Sequence, residues 1–460
     1  MHESFDAIVL GAGPAGEVIA GRLADAGLEV AIVESRLVGG ECTFWACMPS
    51  KALLRPGEAL AEVRRIPGAR EAVTGQLDAT AVLARRDEII HDEDDATMVP
   101  WLEDKGITLV RARAHFTGPR TVQAGDRTLE ARRAIVVATG SRAAVPPIPG
   151  LREAAPWTNI EATTAKHVPP RLVILGGGVV GCEMAQAYAS LGSHVSLVEG
   201  AHRLLAKEEE FASDDVRAGL EDAGVGIFCG GKAQGVRRPE PGGPVTLVLE
   251  DGTELEGDEL LCAVGRIPNT QELQVEAAGV ELDDMGYLAV DDELRVPGGD
   301  GLFAIGDVTG RALLTHMGKH QGRLASDVIL GKPARLRPQG NGDGSPRVIF
   351  TDPQVAAVGL TLEAAREAGL DVRAVDVGTQ ANAGGAFYGK DARGTSRIVV
   401  DEDRRVVVGA TFTGPDVQDS LHAATIAVVA QVPLDDLWHA VPSFPTRSEW
   451  WLKLLEAYGL

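Results

Sequence analysis

The chain opens with an apolar run, Ala7-Ile8-Val9-Leu10, that meets Gly11-Ala12-Gly13-Pro14-Ala15-Gly16. Apolar positions then recur at helical spacing from Glu17 to Ala26, and a second run from Glu29 ends on the acid Glu34. A short apolar run reads as a buried strand, and a period near 3.6 residues reads as a helix. The segment therefore predicts strand, turn, helix, strand. The same grammar returns as a strand from Leu172 to Leu175, a turn from Gly176 to Gly181, a helix from Cys182 to Leu191 and a strand from His194 to Glu199. Two such units predict two dinucleotide-binding folds in one chain.

Between the two units, about Lys51 to Lys105, polar and apolar positions alternate at helical spacing. The charged patch from Arg85 to Asp95 reads as a solvated face. Short strands follow and end in Ala134-Ile135-Val136-Val137-Ala138-Thr139-Gly140. After the second unit, strands lead to Gly265-Arg266-Ile267-Pro268-Asn269, and then to Gly301-Leu302-Phe303-Ala304-Ile305-Gly306-Asp307. Residues Arg335 to Arg347 are rich in Gly, Pro and Asn and read as a linker. The tail from Val348 to Leu460 mixes β-branched strands with helices near Asp416 to Val432 and Arg447 to Tyr458, and reads as a third domain.

Composition narrows the function. A length of 460 residues exceeds one core and suggests several domains. A net charge of -22 argues against a nucleic-acid partner, because phosphate binding needs a basic surface. No apolar run approaches the length of a membrane span. The N-terminus reaches a Gly-rich turn without a basic segment ahead of an apolar one, so no signal peptide is expected and a cytoplasmic protein is. Structural disulfides are rare there. The five cysteines, Cys42, Cys47, Cys182, Cys229 and Cys262, form no disulfide framework. The close pair is the candidate for catalysis, and the other three read as structural thiols.

The glycines carry a physical role. In G-x-G-x-x-G the first permits a tight turn, the second lets backbone approach a pyrophosphate, and the third lets helix and sheet pack closely. The helix N-terminus then offers free N–H groups and partial positive charge to phosphates. Glu34 and Glu199, each ending the next strand, are the expected acceptors for adenosine ribose hydroxyls. Glu199 also repels a 2′-phosphate, so the second site is expected to prefer NAD(H) over NADP(H). Arg203 and Lys207 nearby read as surface charges.

Cys42 and Cys47 lie in Gly39-Gly40-Glu41-Cys42-Thr43-Phe44-Trp45-Ala46-Cys47-Met48-Pro49-Ser50-Lys51. C-x4-C is neither the usual zinc spacing nor the thioredoxin spacing, and no metal ligands are assigned. Residues five apart in an ideal helix have Cα atoms roughly 8–9 Å apart. A disulfide needs less than about 7 Å, so an oxidised pair requires a distorted turn.

Gly-Gly, C-x4-C and Pro-Ser-Lys after such a first unit resemble the flavoprotein disulfide reductase family. That family includes dihydrolipoyl dehydrogenase, glutathione reductase, mercuric reductase and the soluble transhydrogenases. The resemblance covers nearly the whole chain. Ala138-Thr139-Gly140, Gly265-Arg266-x-Pro268-Asn269, Gly306-Asp307 and Phe350-Thr351-Asp352-Pro353-x-x-Ala356-x-Val358-Gly359 match in family order. It implies an α/β chain with two Rossmann-like dinucleotide-binding domains, for FAD and NAD, plus a C-terminal α+β dimerisation domain. Residues 1–150 and 271–340 would form the FAD-binding domain, 151–270 the NAD(P)-binding domain, and 341–460 the dimerisation domain of a homodimer.

The resemblance also implies roles. Cys47 would face the flavin as charge-transfer thiolate, and Cys42 would be the interchange thiol. Lys51 and Glu183 would pair near flavin N5, and Asp307 would hold the ribityl chain. The cofactors would further contact Gly11, Gly13, Pro14, Ala15, Gly16, Glu34, Ser35, Gly40, Glu41, Ala138, Thr139, Gly140, Gly265, Arg266, Gly306, Thr315 and His316. At the nicotinamide site the contacts would be Gly176, Gly178, Val179, Val180, Gly181 and Glu199.

The sequence departs from the family in its tail. The family signature His-Pro-Thr-x-x-Glu supplies a histidine acid-base oriented by the Glu. Here the segment is Phe444-Pro445-Thr446-Arg447-Ser448-Glu449, and phenylalanine cannot move a proton. His439 reads as a packed histidine. The chain ends Glu456-Ala457-Tyr458-Gly459-Leu460, with no C-terminal cysteine pair. Cys-Thr-x-Trp resembles the soluble transhydrogenases, which lack the second cysteine that Cys47 keeps here. Trp450-Trp451 suggests an interface, since aromatics are enriched there. The reading is an FAD-dependent NAD(P)H oxidoreductase acting on a small-molecule acceptor other than lipoamide: a quinone, a metal ion or an unusual disulfide. A dihydrolipoyl dehydrogenase-like small-disulfide reductase and a soluble transhydrogenase are the alternatives.

Overall fold

A computed structural model describes residues 2–389 and 392–460. The chain divides into two compact units, residues 1–48, 87–142 and 266–342 in the first, and 49–86, 143–265 and 343–460 in the second.

In the first unit, strand His2–Leu10 lies between Val30–Glu34 and Arg127–Val137, all parallel. Thr108–Arg111 extends the sheet beyond Val30–Glu34, and Leu302–Ala304 adds parallel to Arg127–Val137. Thr121–Ala124 and Ala114–Gly118 continue it antiparallel on the other side. The central strands are apolar runs because both faces are covered. Ile8, Val9, Ile32 and Val136 are fully buried. Each such side chain contributes about 1.5–3 kcal/mol. Helix Pro14–Asp25 packs along helix Thr315–Ile329, with Gly318 and Gly322 admitting the backbone near Ala15.

The second unit holds a parallel sheet in the order Gly226–Cys229, His194–Glu199, Arg171–Leu175, Glu259–Cys262. Ala233–Arg237, Val245–Leu249 and Glu254–Gly257 form a separate three-stranded antiparallel sheet between the third and fourth of these strands in sequence order, before Glu259–Cys262. The tail forms a five-stranded antiparallel sheet, Arg347–Ile349, Gln354–Gly359, Val406–Gly414, Thr395–Asp401 and Val372–Gly378. Helices Leu421–Ala430 and Trp450–Tyr458 cover it around Phe412, Trp450 and Leu454.

Four expectations need correction. The two glycine-turn helices start earlier than read, at Pro14 and Val179, because the turn residues themselves take helical angles and proline suits a first helical position. Helices Glu210–Asp222, Leu362–Glu367 and Leu434–His439 escaped the pattern. The Arg85–Asp95 patch is not one solvated face. Arg86 is fully buried and donates to the carbonyls of Thr163 and Ala165, while buried Asp95 accepts from Val38 N–H and from Arg111. Charge density along the sequence cannot tell which member of a patch meets unpaired carbonyls. Trp450 is likewise not a surface anchor: it is fully buried in the tail core, 5.4 Å from the Phe412 ring. Among the described residues, no helix is long and apolar enough to cross a membrane.

Candidate active site

The glycine turns show which glycines the chain itself requires. Gly11 (φ 106°) and Gly176 (φ 113°) hold left-handed conformations against the carbonyls of Ala138 and Ala263. A methyl at Gly16 would overlap the carbonyl oxygen of Gly11, and one at Gly181 would overlap that of Gly176. The third glycine thus lets helix and turn close on each other. Gly13 and Gly178 differ, since a methyl there meets nothing within 4 Å. Each opens onto free space ahead of a helix start that no side chain caps, at Pro14-Ala15 and Val179-Val180. An open, uncapped helix start of this kind can hold a phosphate.

The strand-end acids brace these turns. Glu34 accepts from Ala12 N–H at 2.8 Å and Arg36 N–H at 2.7 Å. Glu199 accepts from Gly177 N–H at 2.6 Å and Ala201 N–H at 2.7 Å. One bond per oxygen leaves lone pairs for ribose hydroxyls. Ser35 is exposed beside Glu34. Arg203 spends its guanidinium on the carbonyls of Leu205, Ala206 and Glu208, and Lys207 is 88% exposed.

The cysteines sit at a break between two helices. Gly40–Phe44 ends at Trp45 (φ -135°), and a second helix, Cys47–Arg65, starts at the second cysteine. The segment is therefore not one continuous helix. Gly39 (φ 108°) and Gly40 (φ 62°) make the bend that brings Gly40 against Gly13. Trp45 Nε1 donates to Glu93 at 2.6 Å, and Arg36 lies over its ring. Cys47 Sγ lies 3.3 Å from Thr315 Oγ1. The Cys42 thiol is pushed well above its ordinary range by hydrogen bonding to the Cys47 sulfur and then by burial, opposed by Thr315 and Lys319.

A second cluster surrounds Asp307. Ser141 Oγ donates to it at 2.5 Å, Arg266 Nε donates to Ser141 Oγ at 2.6 Å, and Arg266 also pairs with Glu41. Burial raises the Asp307 carboxyl. Thr139 and Asn269 exchange side-chain-to-carbonyl bonds at 2.9 and 3.0 Å, with Gly140 accepting from Asn269 N–H. Gly306 N–H donates to Gln321 Oε1, whose own buried Nε2 has no partner among the described residues. Thr315 and His316 begin the helix that follows. An open cradle at Gly13, a buried carboxyl and an unmatched buried amide together fit an extended dinucleotide with phosphate and polyol groups.

In the second unit, Lys51 Nζ lies 2.7 Å from Glu183 Oε2, and only 4% of the Glu183 side chain is exposed. Glu183 Oε1 accepts from Phe350 N–H at 3.0 Å, and Lys51 lies over the Phe350 ring at 4.6 Å. Gly265 (φ 141°) precedes Arg266 in a conformation that glycine tolerates. Cys182 and Cys262 are buried, and Cys229 is half-buried.

In the tail, Phe444 is 78% exposed, and the buried Glu449 Oε2 has no partner among the described residues. His439 is exposed at the end of its helix, a correction to its reading as packed: the helix turns its Leu434 inward and its last residue outward. Arg447 is buried over the rings of Tyr388 and Trp450.

Residues 5–322 match the model of the pyridine nucleotide-disulphide oxidoreductase family, and residues 345–454 match that family's dimerisation domain. The chain belongs to this family. It is 32% identical over 454 residues to a dihydrolipoyl dehydrogenase of Haloferax volcanii, covering 96% of this chain and 94% of the relative. It is 29% identical to a mercuric reductase of Staphylococcus aureus, covering 97% of this chain and 81% of that one. The Cu(II) complex of the HOCl-induced flavoprotein disulfide reductase RclA from Escherichia coli superposes with a TM-score of 0.86 at 27% identity, covering 98% of this chain and 99% of that one.

This member of the pyridine nucleotide-disulphide oxidoreductases is an FAD-dependent NAD(P)H oxidoreductase of the disulfide reductase type, with an α/β fold and a dimerisation domain. The sequence reading missed several supports of the site. Phe350 was visible in a matched motif, but its backbone bond to Glu183 was not. Ser141 and Glu93 carried no signal, because their roles arise from contacts across 48 or more positions, as in Trp45 to Glu93, and Gln321 meets Gly306 across 15.

Proposed function

We propose that this oxidoreductase takes its electron pair from NADH and passes it through Cys42 and Cys47 to an acceptor other than lipoamide. Phe444 carries the reading: an exposed ring that cannot donate a proton stands where the family places its acid-base histidine, while the thiol pair is kept. FAD, when bound, accepts hydride from the nicotinamide and delivers the electron pair onward. Gly11, Gly13, Gly16, Glu34 and Asp307 would hold it, and Gly176, Gly178, Gly181 and Glu199 would hold the nicotinamide dinucleotide. Lys51, braced by Glu183, would present positive charge toward the reduced cofactor. Residues 1–150 and 271–340 would serve FAD, 151–270 NADH, and 341–460 pairing of two cytoplasmic copies.

Exposed Ile426, Val441 and Phe444 support pairing through the tail, as does Glu449, whose buried oxygen lacks a partner within the described residues. In the homodimer each site would receive Phe444 and Glu449 from the partner.

NADH oxidation against lipoamide, glutathione disulfide, quinones and Cu(II) tests the proposal. Lipoamide turnover at the rate of the other acceptors would overturn it. Phe444→His is expected to raise lipoamide turnover by about 10²-fold, the scale of a positioned acid-base group. No gain would mean that the missing imidazole is not what limits that acceptor. Glu199→Ala is expected to erode a preference for NADH, because it removes both a ribose acceptor and the repulsion of a 2′-phosphate. The ratio of kcat/KM for NADH and NADPH measures it, and equal ratios in the unmodified enzyme would exclude the preference.

A further inference from the structure

The charged stretch that ends at Asp95 lies far from the cysteine segment in sequence, yet it grips that segment at two points. Asp95 accepts from Val38 N–H at 2.7 Å, ahead of Cys42. Glu93 accepts from Trp45 Nε1 at 2.6 Å, between Cys42 and Cys47. Asp95 is itself fixed by both terminal nitrogens of Arg111, at 2.6 and 2.9 Å. Two carboxylates from one short segment thus bracket the helix Gly40–Phe44 that bears Cys42.

The backbone that presents them is strained. His91, Asp92 and Glu93 lie at φ 53°, 52° and 60°, a left-handed run without a glycine. A Cβ in that region crowds the following carbonyl, and such residues persist only where surrounding contacts hold them. The holding contacts here are those to Val38, Arg111 and Trp45. Trp45 is also held on its ring face. It is 5% exposed, with the Arg36 guanidinium 3.8 Å from the ring centre and the Phe44 ring 5.8 Å away. Its backbone is where helix Gly40–Phe44 stops, at φ -135° and ψ 9°.

That stop matters to the thiols. In an unbroken helix, residues five apart stand about 8–9 Å apart at Cα, beyond the roughly 7 Å that a disulfide spans. Here the helix breaks at Trp45, and the two sulfurs come within hydrogen-bonding reach of each other.

We propose that Glu93 is a positioning residue: by holding Trp45 it keeps the helix broken and Cys42 and Cys47 in register to close a disulfide, and so sets their thiol–disulfide equilibrium. This rests on the reading that the Cys42/Cys47 pair turns over.

The sign follows from the two states. The disulfide exists only with the helix broken, whereas the dithiol carries no such constraint. Without the indole bond, the reduced segment gains unbroken conformations that cannot close the S–S bond. The dithiol is then favoured, and the midpoint moves toward more oxidising conditions. Closing the pair forms one S–S bond and releases two electrons and two protons. Oxidised dithiothreitol takes them, and its own S–S bond opens to two thiols.

The test equilibrates FAD-loaded enzyme anaerobically in dithiothreitol buffers of stepped oxidised-to-reduced ratio. After alkylation and trypsin digestion, the mass of the peptide holding both cysteines gives the disulfide fraction. Glu93→Ala is expected to raise the ratio at half-oxidation about tenfold, the lower end for a hydrogen bond to a charged group. Tenfold corresponds to about 30 mV. Trp45→Phe removes the donor of the same bond and is expected to match it. The double variant is expected to shift no further, since both changes break one interaction. Glu93→Gln keeps a side-chain oxygen to accept from the indole and is expected to restore the unmodified ratio. FAD content and the rate of flavin reduction by NADH are expected to hold throughout, which separates a shifted equilibrium from a damaged fold. An unchanged ratio in a Glu93→Ala protein that retains FAD overturns the proposal, as does an equal shift in Glu93→Gln or a further shift in the double variant. If Glu93→Ala loses FAD, Trp45→Phe decides in its place. If the unmodified enzyme forms no disulfide at any ratio, the reading that the cysteines turn over falls instead.

Discussion

Cys47→Ser is expected to give a yellow, FAD-loaded protein whose turnover with the physiological acceptor falls on the order of 10³-fold or more, as when one member of a catalytic unit is removed. The serine hydroxyl keeps the contact that Cys47 makes with Thr315 at 3.3 Å, so the helix start at residue 47 should survive. What disappears is the thiolate. The Cys42 thiol then has no partner to close a disulfide. Anaerobic titration with dithionite is the decisive measurement. The unmodified enzyme should take up two electrons beyond those of the flavin, and Cys47→Ser or Cys42→Ser should not. If both variants keep full turnover with the physiological acceptor, the thiols are bystanders and the enzyme works from the flavin alone.

The second large effect separates two glycines three residues apart. Gly16→Ala forces a methyl onto the carbonyl oxygen of Gly11, whereas Gly13→Ala meets nothing within 4 Å. Gly16→Ala should therefore lower stability by about 1–3 kcal/mol, the usual cost of overpacking, and release FAD as well. Gly13→Ala should keep its melting temperature without cofactor but lose FAD affinity by roughly 10²-fold or more, since about 3 kcal/mol of blocked phosphate contact corresponds to that factor. FAD content after gel filtration and thermal unfolding of the FAD-free proteins measure both. Normal FAD retention by Gly13→Ala would remove the phosphate cradle from its place at Gly13.

The glycine turns were legible because their physics is local. A turn needing φ near 106° at Gly11 and no Cβ at Gly16 is written within six residues. The position of Glu34 and Glu199 at strand ends facing their turns was legible for the same reason, but the bonds they accept from turn N–H groups were not. The cysteine spacing called for a distorted turn only in an oxidised pair; the structure breaks the helix at Trp45 with both thiols free. The tail aromatics were misread, because a Trp-Trp pair has the same pattern whether it covers a sheet or meets a partner. Only the packing of Phe412 against Trp450 distinguished the two.

The sequence by itself determined the two dinucleotide grammars, the thiol pair and the loss of the tail histidine, because each depends on residue type at short spacing. The tertiary structure decided which charges are spent and which remain available. Arg86 and Arg203 are consumed by backbone carbonyls, Arg266 by Ser141 and Glu41, and Glu183 by Lys51 and Phe350 N–H. Glu17 is set apart by burial and by Lys319, which arrives from 302 positions away in sequence. A side chain's proton affinity depends on its desolvation and on charges brought close by the fold, and neither is written at its own position.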